Sequence, residues 1–228
     1  MMDKPVALIT GASAGIGRAI ALELAEKYRL ILVARHEEPL AELAAELPDA
    51  TYLLADLTDK SSVEKLAGEV PQLDVLINNA GMEAMQNVDE LDWETWQQVL
   101  TLNVIAPAEL SRLFLPKLQA SHGQIVMINS GAGRFSGPGM GAYAASKHAL
   151  DAYTKALRAE LRPDVRVIAV HPGRVDTPMQ QRMFENAGKT YQATDHLRPE
   201  SIATAVAYAL SATKDACVEE VHVRPQQG

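Results

Sequence analysis

Tyr143 and Lys147 lie four positions apart in the segment Ala-Tyr-Ala-Ala-Ser-Lys-His. On a helix this spacing places both side chains on one face. Free tyrosine has a pKa of about 10, but a nearby ammonium stabilises its phenolate and makes it a better acid or base. Such a pair could exchange a proton with a substrate. The same spacing also occurs where a lysine stem covers a half-buried tyrosine, so the rest of the chain must decide.

The composition favours helices packed on a parallel sheet. Of the 228 residues, 47% are hydrophobic but only 5% aromatic, and the net charge is −8. Lysine and arginine form no basic stripe in the sequence, so a nucleic-acid partner is not expected. The N-terminus lacks a secretory pattern, and no apolar run reaches the ~20 residues that cross a bilayer, so we expect a cytoplasmic protein without a membrane partner. One cysteine and scattered histidines predict no disulfide and no metal site.

Apolar runs alternate with helical patterns from end to end, which predicts a single α/β domain over residues 1–228 with about seven parallel strands. The predicted strands are 5–10, 30–34, 51–54, 73–77, 124–129, 165–170 and 218–223. The predicted helices are 16–28, 38–47, 61–70, 93–118, 142–161 and 201–210. The least regular segments, 131–141 and 177–198, follow predicted strands. We expect both to border a crevice at the carboxyl ends of the strands.

A glycine-rich turn follows the first strand, with Gly11, Gly15 and Gly17 spaced G-x-x-x-G-x-G. Glycines allow a tight turn and close approach of a phosphate, and the next helix offers free N–H groups to it. Three glycines alone could form an ordinary flexible turn. Their place between a strand and a helix favours nucleotide binding.

Arg35 follows the second predicted strand, where this architecture meets the adenosine ribose. An acidic residue there would bond a 2′-hydroxyl, whereas an arginine favours a 2′-phosphate. Ser13 could add a hydroxyl to the same phosphate. We therefore expect NADP(H) to be preferred, with NAD(H) possible; a solvated surface arginine is the alternative.

These features, taken in order, resemble the short-chain dehydrogenase/reductases in their single-domain form. The resemblance covers about residues 4–223 and implies a Rossmann-type doubly wound sheet with helices on both faces. One such motif is weak, but the whole series in order is specific. The motifs are Thr10-Gly-Ala-Ser-Ala-Gly-Ile-Gly17, Asp56-Leu57, Asn78-Asn-Ala-Gly81, Asn103, Ser130, Tyr143-x-x-x-Lys147 and Pro172-Gly-Arg-Val-Asp-Thr177.

The resemblance implies an oxidoreductase that transfers a hydride between a nicotinamide and a small carbonyl or alcohol. Tyr143 would be the general acid/base, and Lys147 would hold the nicotinamide ribose and lower the Tyr143 pKa. Ser130 would bond the substrate oxygen, and Asn103 would support a water-linked proton relay to Lys147. Two hydroxyl donors aimed at an oxygen that gains negative charge make chemical sense.

The resemblance also implies a cofactor site along the strand ends. Several residues of this implied site could instead have a purely structural role, such as a helix cap at Asp56 or a strand end at Pro172. The implied cofactor-binding residues are Gly11, Ser13, Gly15, Ile16, Gly17, Arg35, Asp56, Leu57, Asn79, Ala80, Gly81, Tyr143, Lys147, Pro172, Gly173, Val175 and Thr177.

A mostly apolar pocket for a small carbonyl compound is expected beside this site, with Arg134 as a candidate for a substrate carboxylate or a surface arginine. The candidate pocket residues are Met82, Arg134, Phe135, Met140, Met179 and Phe184. The chain departs from the family in its segment 221–228, which lacks Asp-Gly-Gly, and in a short segment 177–199. A tetramer formed through the C-terminal tail is therefore not expected. The resemblance still implies a homodimer or homotetramer that forms through helices 93–118 and 142–161.

A nucleotide-sensing regulator on the same fold is the alternative function, because fold alone does not fix activity. The complete set of polar residues argues against it, since a sensor needs no proton donor. An epimerase or dehydratase on the extended version of the fold would need a larger C-terminal region than this chain has.

Overall fold

Seven parallel strands form the central sheet in this computed structural model, which describes residues 4–186 and 188–226. The strand order is β3-β2-β1-β4-β5-β6-β7, and each neighbouring pair is parallel. All seven predicted strands are present. They are β1 (Val6–Thr10), β2 (Arg29–Ala34), β3 (Ala50–Leu54), β4 (Val75–Asn78), β5 (Gln124–Ile128), β6 (Arg166–Pro172) and β7 (Glu220–Val223).

Helices cover both faces of the sheet, as the alternation of elements requires. Alternate residues of β1 enter opposite cores: Ile9 packs with Ile20 and Val206, whereas Leu8 packs with Phe114 and Leu157. The helices are α1 (Gly15–Leu24), α2 (Glu37–Glu46), α3 (Lys60–Glu69), α4 (Trp93–Leu100), α5 (Ala106–Ser121), α6 (Gly141–Leu161), α7 (Pro178–Asn186) and α8 (Pro199–Leu210).

The order of the strands reverses at β1, which pairs with β2 on one side and with β4 on the other. In an open parallel sheet the chain leaves such a switch point in opposite directions, and a crevice opens at the carboxyl ends of the strands. The turns after β1 and β4 therefore form the middle of the ligand-binding edge.

Segment 177–198 was predicted to be irregular, and this is wrong in part because α7 lies within it. No residue of α7 is buried, so the helix does not pack its apolar residues into the core. Its two methionines, Met179 and Met183, lie one turn apart and line the cleft described below. The helix thus covers a cavity rather than the core.

The long predicted helix 93–118 is divided into α4, a π-helical turn (Thr101–Ile105) and α5. The continuous stretch Trp93–Ser121 has the length and mean hydropathy, 1.2, of a helix that could cross a membrane. Leu110, Phe114 and Leu118 of this stretch are buried in the core against the sheet. Core helices of globular folds share that composition, and packing accounts for it here.

Candidate active site

A cleft of about 770 Å³ runs along the carboxyl ends of the strands and collects most of the predicted site. It includes the turns after β1, β2, β4, β5 and β6, together with α7. The predicted residues that line it are Gly11, Ser13, Gly15, Ile16, Arg35, Asp56, Leu57, Asn79, Ala80, Gly81, Met82, Ser130, Phe135, Met140, Tyr143, Lys147, Pro172, Gly173, Val175, Thr177 and Met179.

The glycine-rich turn places free backbone donors at the start of α1. Gly11 and Gly15 have φ values of 65° and 54°, in the left-handed region that favours glycine. The residue before α1, Ala14, has no side chain that could cap the helix. The N–H groups of the first turn therefore remain available for an anion, which the helix dipole also attracts.

Gly17 does not line the cleft, although it was predicted to bind the cofactor. It is buried where α1 meets the glycine-rich turn. A Cβ at this position would lie 2.2 Å from the Gly11 carbonyl oxygen and 2.6 Å from Asn79 Nδ2. Its role in the structure is to let the helix approach the turn closely.

A hydrogen-bond network around Thr10 fastens the glycine-rich turn to the segment after β4. The Thr10 hydroxyl accepts from the backbone N–H groups of Asn79 and Ala80, each at 3.0 Å, and donates to Ile77 O at 3.2 Å. Asn79 Nδ2 donates to Thr10 O at 2.9 Å and to Gly11 O at 3.2 Å. The predicted Asn79 thus holds the shape of the turn with its side chain.

Arg35 and Asp56 lie at the far end of the cleft, after β2 and β3. Hydrogen bonds from Thr58 lower the pKa of the Asp56 carboxyl, and the Arg35 charge lowers it further. Asp56 accepts the Thr58 hydroxyl at 2.7 Å and the Thr58 N–H at 2.9 Å. Arg35 is exposed and has no carboxylate within 4.0 Å among residues 4–186 and 188–226, so its guanidinium can meet an anion.

Tyr143 and Lys147 occupy one face of α6 and are both buried, at 8% and 5% exposure. Lys147 Nζ donates to Ile128 O at 3.1 Å, at the end of β5. A buried charge needs such a partner, and an isolated lysine covering a tyrosine at the surface would not have one. The structure therefore fits the functional interpretation of this pair better than the surface alternative.

Ser130 follows β5 and lies beside Tyr143. Its N–H donates to Asn129 Oδ1 at 2.8 Å, and Asn129 Nδ2 donates to Lys147 O at 3.2 Å. The Ser130 hydroxyl accepts from Ala132 N at 3.1 Å, which caps the turn 131–133. Asn129 thus ties the end of β5 to α6 and fixes the three polar groups relative to each other.

Burial raises the pKa of the Tyr143 phenol, the neighbouring Ser130 hydroxyl lowers it, and the Glu83 carboxylate raises it again. The net direction is upward. The sequence predicts a pKa lowered by Lys147, and the structure differs because loss of hydration outweighs the favourable contacts that the protein supplies. A phenol with a raised pKa stays protonated at neutral pH and can act as an acid.

Burial lowers the pKa of the Lys147 ammonium from 10.5 to about 8. Below pH 8 the lysine is charged in both the folded and the unfolded chain, and burying that charge costs stability. Between pH 8 and 10.5 only the unfolded chain holds the proton, so this contribution to stability improves as the pH rises. Urea unfolding at pH 7.5 and 9.5 tests this. The free energy of unfolding of the wild type, relative to that of Lys147→Met, should rise by at most about 1.4 kcal/mol per pH unit. A difference that does not change with pH would contradict the buried charge.

Asn103 lies in the π-helical turn between α4 and α5 and is 1% exposed. Its Oδ1 accepts from Met82 N at 2.9 Å, and its Nδ2 donates to Met82 O at 2.9 Å and to Ser146 Oγ at 3.0 Å. A Cβ on Gly81 would lie 3.1 Å from Asn103 Oδ1 and 3.7 Å from Lys147 Nζ. Asn103 does not line the cleft. Because Gly81 has no Cβ, a gap remains between the Asn103 side-chain oxygen, Oδ1, and the Lys147 ammonium.

The sequence around this cleft is similar to that of a known protein family. The sequence matches the family model for short chain dehydrogenases over residues 5–188. The chain is a member of the short-chain dehydrogenase family. This confirms the predicted family, its Rossmann-type fold and the enzyme class, an oxidoreductase acting on a CH–OH or C=O group.

Relatives and solved structures cover nearly the whole dehydrogenase. An NADP-dependent 3-hydroxy acid dehydrogenase of Schizosaccharomyces pombe is 34% identical over 243 residues, 98% of this chain and 93% of the relative. An NADPH-dependent pterin aldehyde reductase of Arabidopsis thaliana is 36% identical over 198 residues, 82% of each chain. An alcohol dehydrogenase from the archaeon Thermococcus sibiricus, complexed with 5-hydroxy-NADP, superposes with a TM-score of 0.87 at 31% identity, covering 97% of this chain and 96% of that one.

Two of the predicted substrate residues of this dehydrogenase do not line its cleft. Arg134 donates to Glu220 at 2.6 Å and lies 3.5 Å from Asp151, so its charge is already paired. The Phe184 ring packs edge-on against Tyr191, with ring centroids 5.4 Å apart, within the segment that follows α7. A role of either residue in substrate binding stays a prediction, because position in the sequence does not tell which way a side chain turns.

Several cleft residues of the dehydrogenase were not predicted. The spacing of Met179 and Met183 could have revealed the second methionine, since residues four apart share a helix face. No sequence signal points to the arginines, which look like ordinary surface residues. These additional residues include Met85, Arg174, Gln180, Arg182, Met183, Arg224 and Pro225.

Ligand-capable groups of His171, Glu220 and His222 lie within 4.8 Å of one another on the paired strands β6 and β7. The two imidazole rings stack at 4.6 Å with planes 9° apart, so their in-plane nitrogen lone pairs run side by side instead of converging. The Glu220 carboxylate already binds Arg134. This geometry is that of a ring stack beside an ion pair, and the absence of a metal site stays a prediction.

Proposed function

We propose that the chain is an NADP(H)-dependent dehydrogenase/reductase that transfers a hydride between the nicotinamide and a small carbonyl or alcohol substrate. The observation that carries this proposal is the shared cleft. One end holds the glycine-rich turn and Arg35, and the other holds Ser130, Tyr143 and Lys147. A nucleotide lying along the strand ends would bring its reactive ring to the polar end.

The residues of the polar end suit reduction of a carbonyl. When bound, the nicotinamide would supply the hydride to the carbonyl carbon. Negative charge then develops on the carbonyl oxygen, where Ser130 donates a hydrogen bond and Tyr143 transfers its proton. The products are an alcohol and a Tyr143 phenolate, which the Lys147 ammonium stabilises one helical turn away. In the direction of oxidation the same groups act in reverse.

Return of a proton to Tyr143 is proposed to pass through Lys147 and the gap beside Gly81, next to Asn103. The Asn103 amide is fixed by three hydrogen bonds, and its Oδ1 faces the missing Cβ of Gly81. The π-helical turn supports this role, because such turns insert one extra residue and frequently occur at functional sites.

The preference for NADP(H) rests on Arg35 and on the relatives whose names specify that cofactor. Arg35→Ala should weaken NADP binding about 10- to 100-fold, because a charge-assisted hydrogen bond to the 2′-phosphate is lost. NAD binding should change little. Titration of both nucleotides tests this, with Arg29→Ala, at the opposite end of β2, as the matched control. Equal losses for NADP and NAD would show that Arg35 does not bind the 2′-phosphate.

The proposed reaction is tested by following nicotinamide absorbance with small ketones, hydroxy acids and sugars. We expect NADP(H)-linked turnover of a carbonyl or alcohol within this panel. Tight nucleotide binding without turnover of any compound would instead favour the nucleotide-sensing regulator.

The oligomeric state and the cellular location stay predictions. A homodimer or homotetramer through α4, α5 and α6 would cover two large apolar side chains, Trp93 and Ile105, which are 77% and 57% exposed. Exposed apolar groups of this size favour a protein contact. Light scattering of the purified chain measures the state directly.

A further inference from the structure

Arg224, directly after β7, lies along the wall of the cleft at its polar end. Its Nη1 donates to His171 O at 2.6 Å. Its Cδ lies 3.4 Å from the place where a Cβ on Gly173 would stand, and its Nη2 lies 3.4 Å from the corresponding place at Gly131. Two residues without side chains therefore make room for the length of this arginine, and Nη1 anchors it with a second hydrogen bond, to Val223 O at 3.3 Å.

Among residues 4–186 and 188–226, Arg224 forms no ion pair, since no carboxylate oxygen lies within 4.0 Å of its guanidinium. Two other arginines nearby are paired: Arg134 with Glu220 at 2.6 Å, and Arg182 of α7 with Glu83 at 3.5 Å. A guanidinium carries five N–H donors, and those of Nη2 stay free for an anion.

The free end of Arg224 lies beside the short turn that follows Ser130. Gly131 follows Ser130, whose hydroxyl faces the substrate oxygen in the proposed reaction. The Phe135 ring flanks the same place, with Cε1 3.2 Å from the Cβ position of Gly131. The phosphates of a nucleotide belong to the glycine-rich turn at the other end of the cleft, so the anion near Arg224 would come from the substrate.

We propose that Arg224 binds a carboxylate of the substrate, and that the substrates are short oxo acids and the corresponding hydroxy acids. A carboxylate and a guanidinium form two parallel hydrogen bonds, which orients the substrate as well as attracting it. The carbonyl then lies toward Ser130 and Tyr143. The remaining carbon chain meets the apolar wall of Met82, Met140 and Met179. The turnover part of this inference rests on the proposed function; the binding part does not.

The test compares each acid with its methyl ester, which lacks the negative charge and carries one more methyl group. The probes are 2-oxobutanoate, 3-oxobutanoate and their methyl esters, used with the full chain and NADPH. Arg224→Met should lower kcat/KM for the acids about 10- to 100-fold and leave the esters within about threefold. Arg224→Lys should recover part of the loss, since a lysine keeps the charge without the paired donors. Arg29→Met removes a guanidinium at the start of β2, at the end of the strand away from the cleft, and should change kcat/KM for neither the acids nor the esters.

Calorimetric titration of the acids into the NADP-loaded protein separates the two proposals. Acids that bind in an Arg224-dependent way without being reduced would support the carboxylate subsite and contradict the proposed reaction. Reduction in which Arg224→Met lowers acid and ester equally would overturn the subsite and leave the reaction intact. A wild-type chain that binds and reduces the esters at least as well as the acids would also overturn it.

Discussion

Tyr143→Phe is expected to lower kcat about 100- to 10,000-fold while nucleotide binding stays close to the wild-type value. This is the contribution that general acid catalysis makes, and phenylalanine removes the proton without removing the ring. The ring is 8% exposed and packs at the end of the cleft, so the substitution leaves no cavity. The measurement is single-turnover reduction with NADPH, together with titration of the nucleotide.

Tyr153→Phe is the matched control, because it removes a phenol ten residues later on the same helix. The Tyr153 hydroxyl makes a long hydrogen bond, 3.5 Å, to Ala108 O, and loss of this hydroxyl should change turnover little. Full activity of Tyr143→Phe would refute the assignment of the proton donor. Loss of nucleotide binding as well would show that the phenol holds the cofactor instead of transferring a proton.

The pH dependence of the wild type carries independent information on the same group. Because burial raises the pKa of Tyr143, the protein on its own keeps the phenol protonated. Reduction needs that protonated form, whereas oxidation needs the phenolate. The Ser130 hydroxyl already opposes the upward shift, and a positive charge brought closer to the ring would oppose it further. The Lys147 ammonium lies one helical turn away on the same face of α6.

Local sequence patterns predict the elements of this fold, whereas contacts between residues far apart in the sequence are not visible in such patterns. Parallel strands appear as short apolar runs, and the glycine, tyrosine and lysine spacings are local, so the sheet and most of the cleft could be predicted. The direction of an exposed side chain is set by partners far away in the sequence. Arg134 turns to Glu220, 86 residues later, and Arg224 reaches back to His171. Neither contact leaves a local pattern.

The helix α7 shows a related limit. A helix that covers a cleft has no core to face, so none of the side chains of α7 is buried. Segments of this kind determine which substrate fits, since they move and vary more than the sheet that holds the chemistry. The family could therefore be identified from the motifs, whereas the substrate class had to be argued from the side chains that the fold brings together.

Gly17→Ala is expected to destabilise the chain by about 3 kcal/mol or more and to remove nucleotide binding. The added Cβ would lie 2.2 Å from Gly11 O and 2.6 Å from Asn79 Nδ2, and the closer of these is backbone. Relief requires α1 to move away from the turn, which breaks the Asn79 hydrogen bonds to Thr10 and Gly11. The same displacement carries the first N–H groups of α1 away from the phosphate position.

The matched control is Gly68→Ala, also within a helix, where an added Cβ meets no atom within 4 Å. That change should stabilise the chain by roughly 0.5–1 kcal/mol, because alanine is the better helix former. Thermal unfolding should therefore shift down by roughly 6 to 12 °C for Gly17→Ala and slightly up for Gly68→Ala. NADP should raise the midpoint for the wild type and Gly68→Ala but not for Gly17→Ala. A Gly17→Ala protein that unfolds and binds NADP like the wild type would contradict this prediction. It would show that α1 can lie farther from the glycine-rich turn without loss of stability or of the phosphate-binding N–H groups.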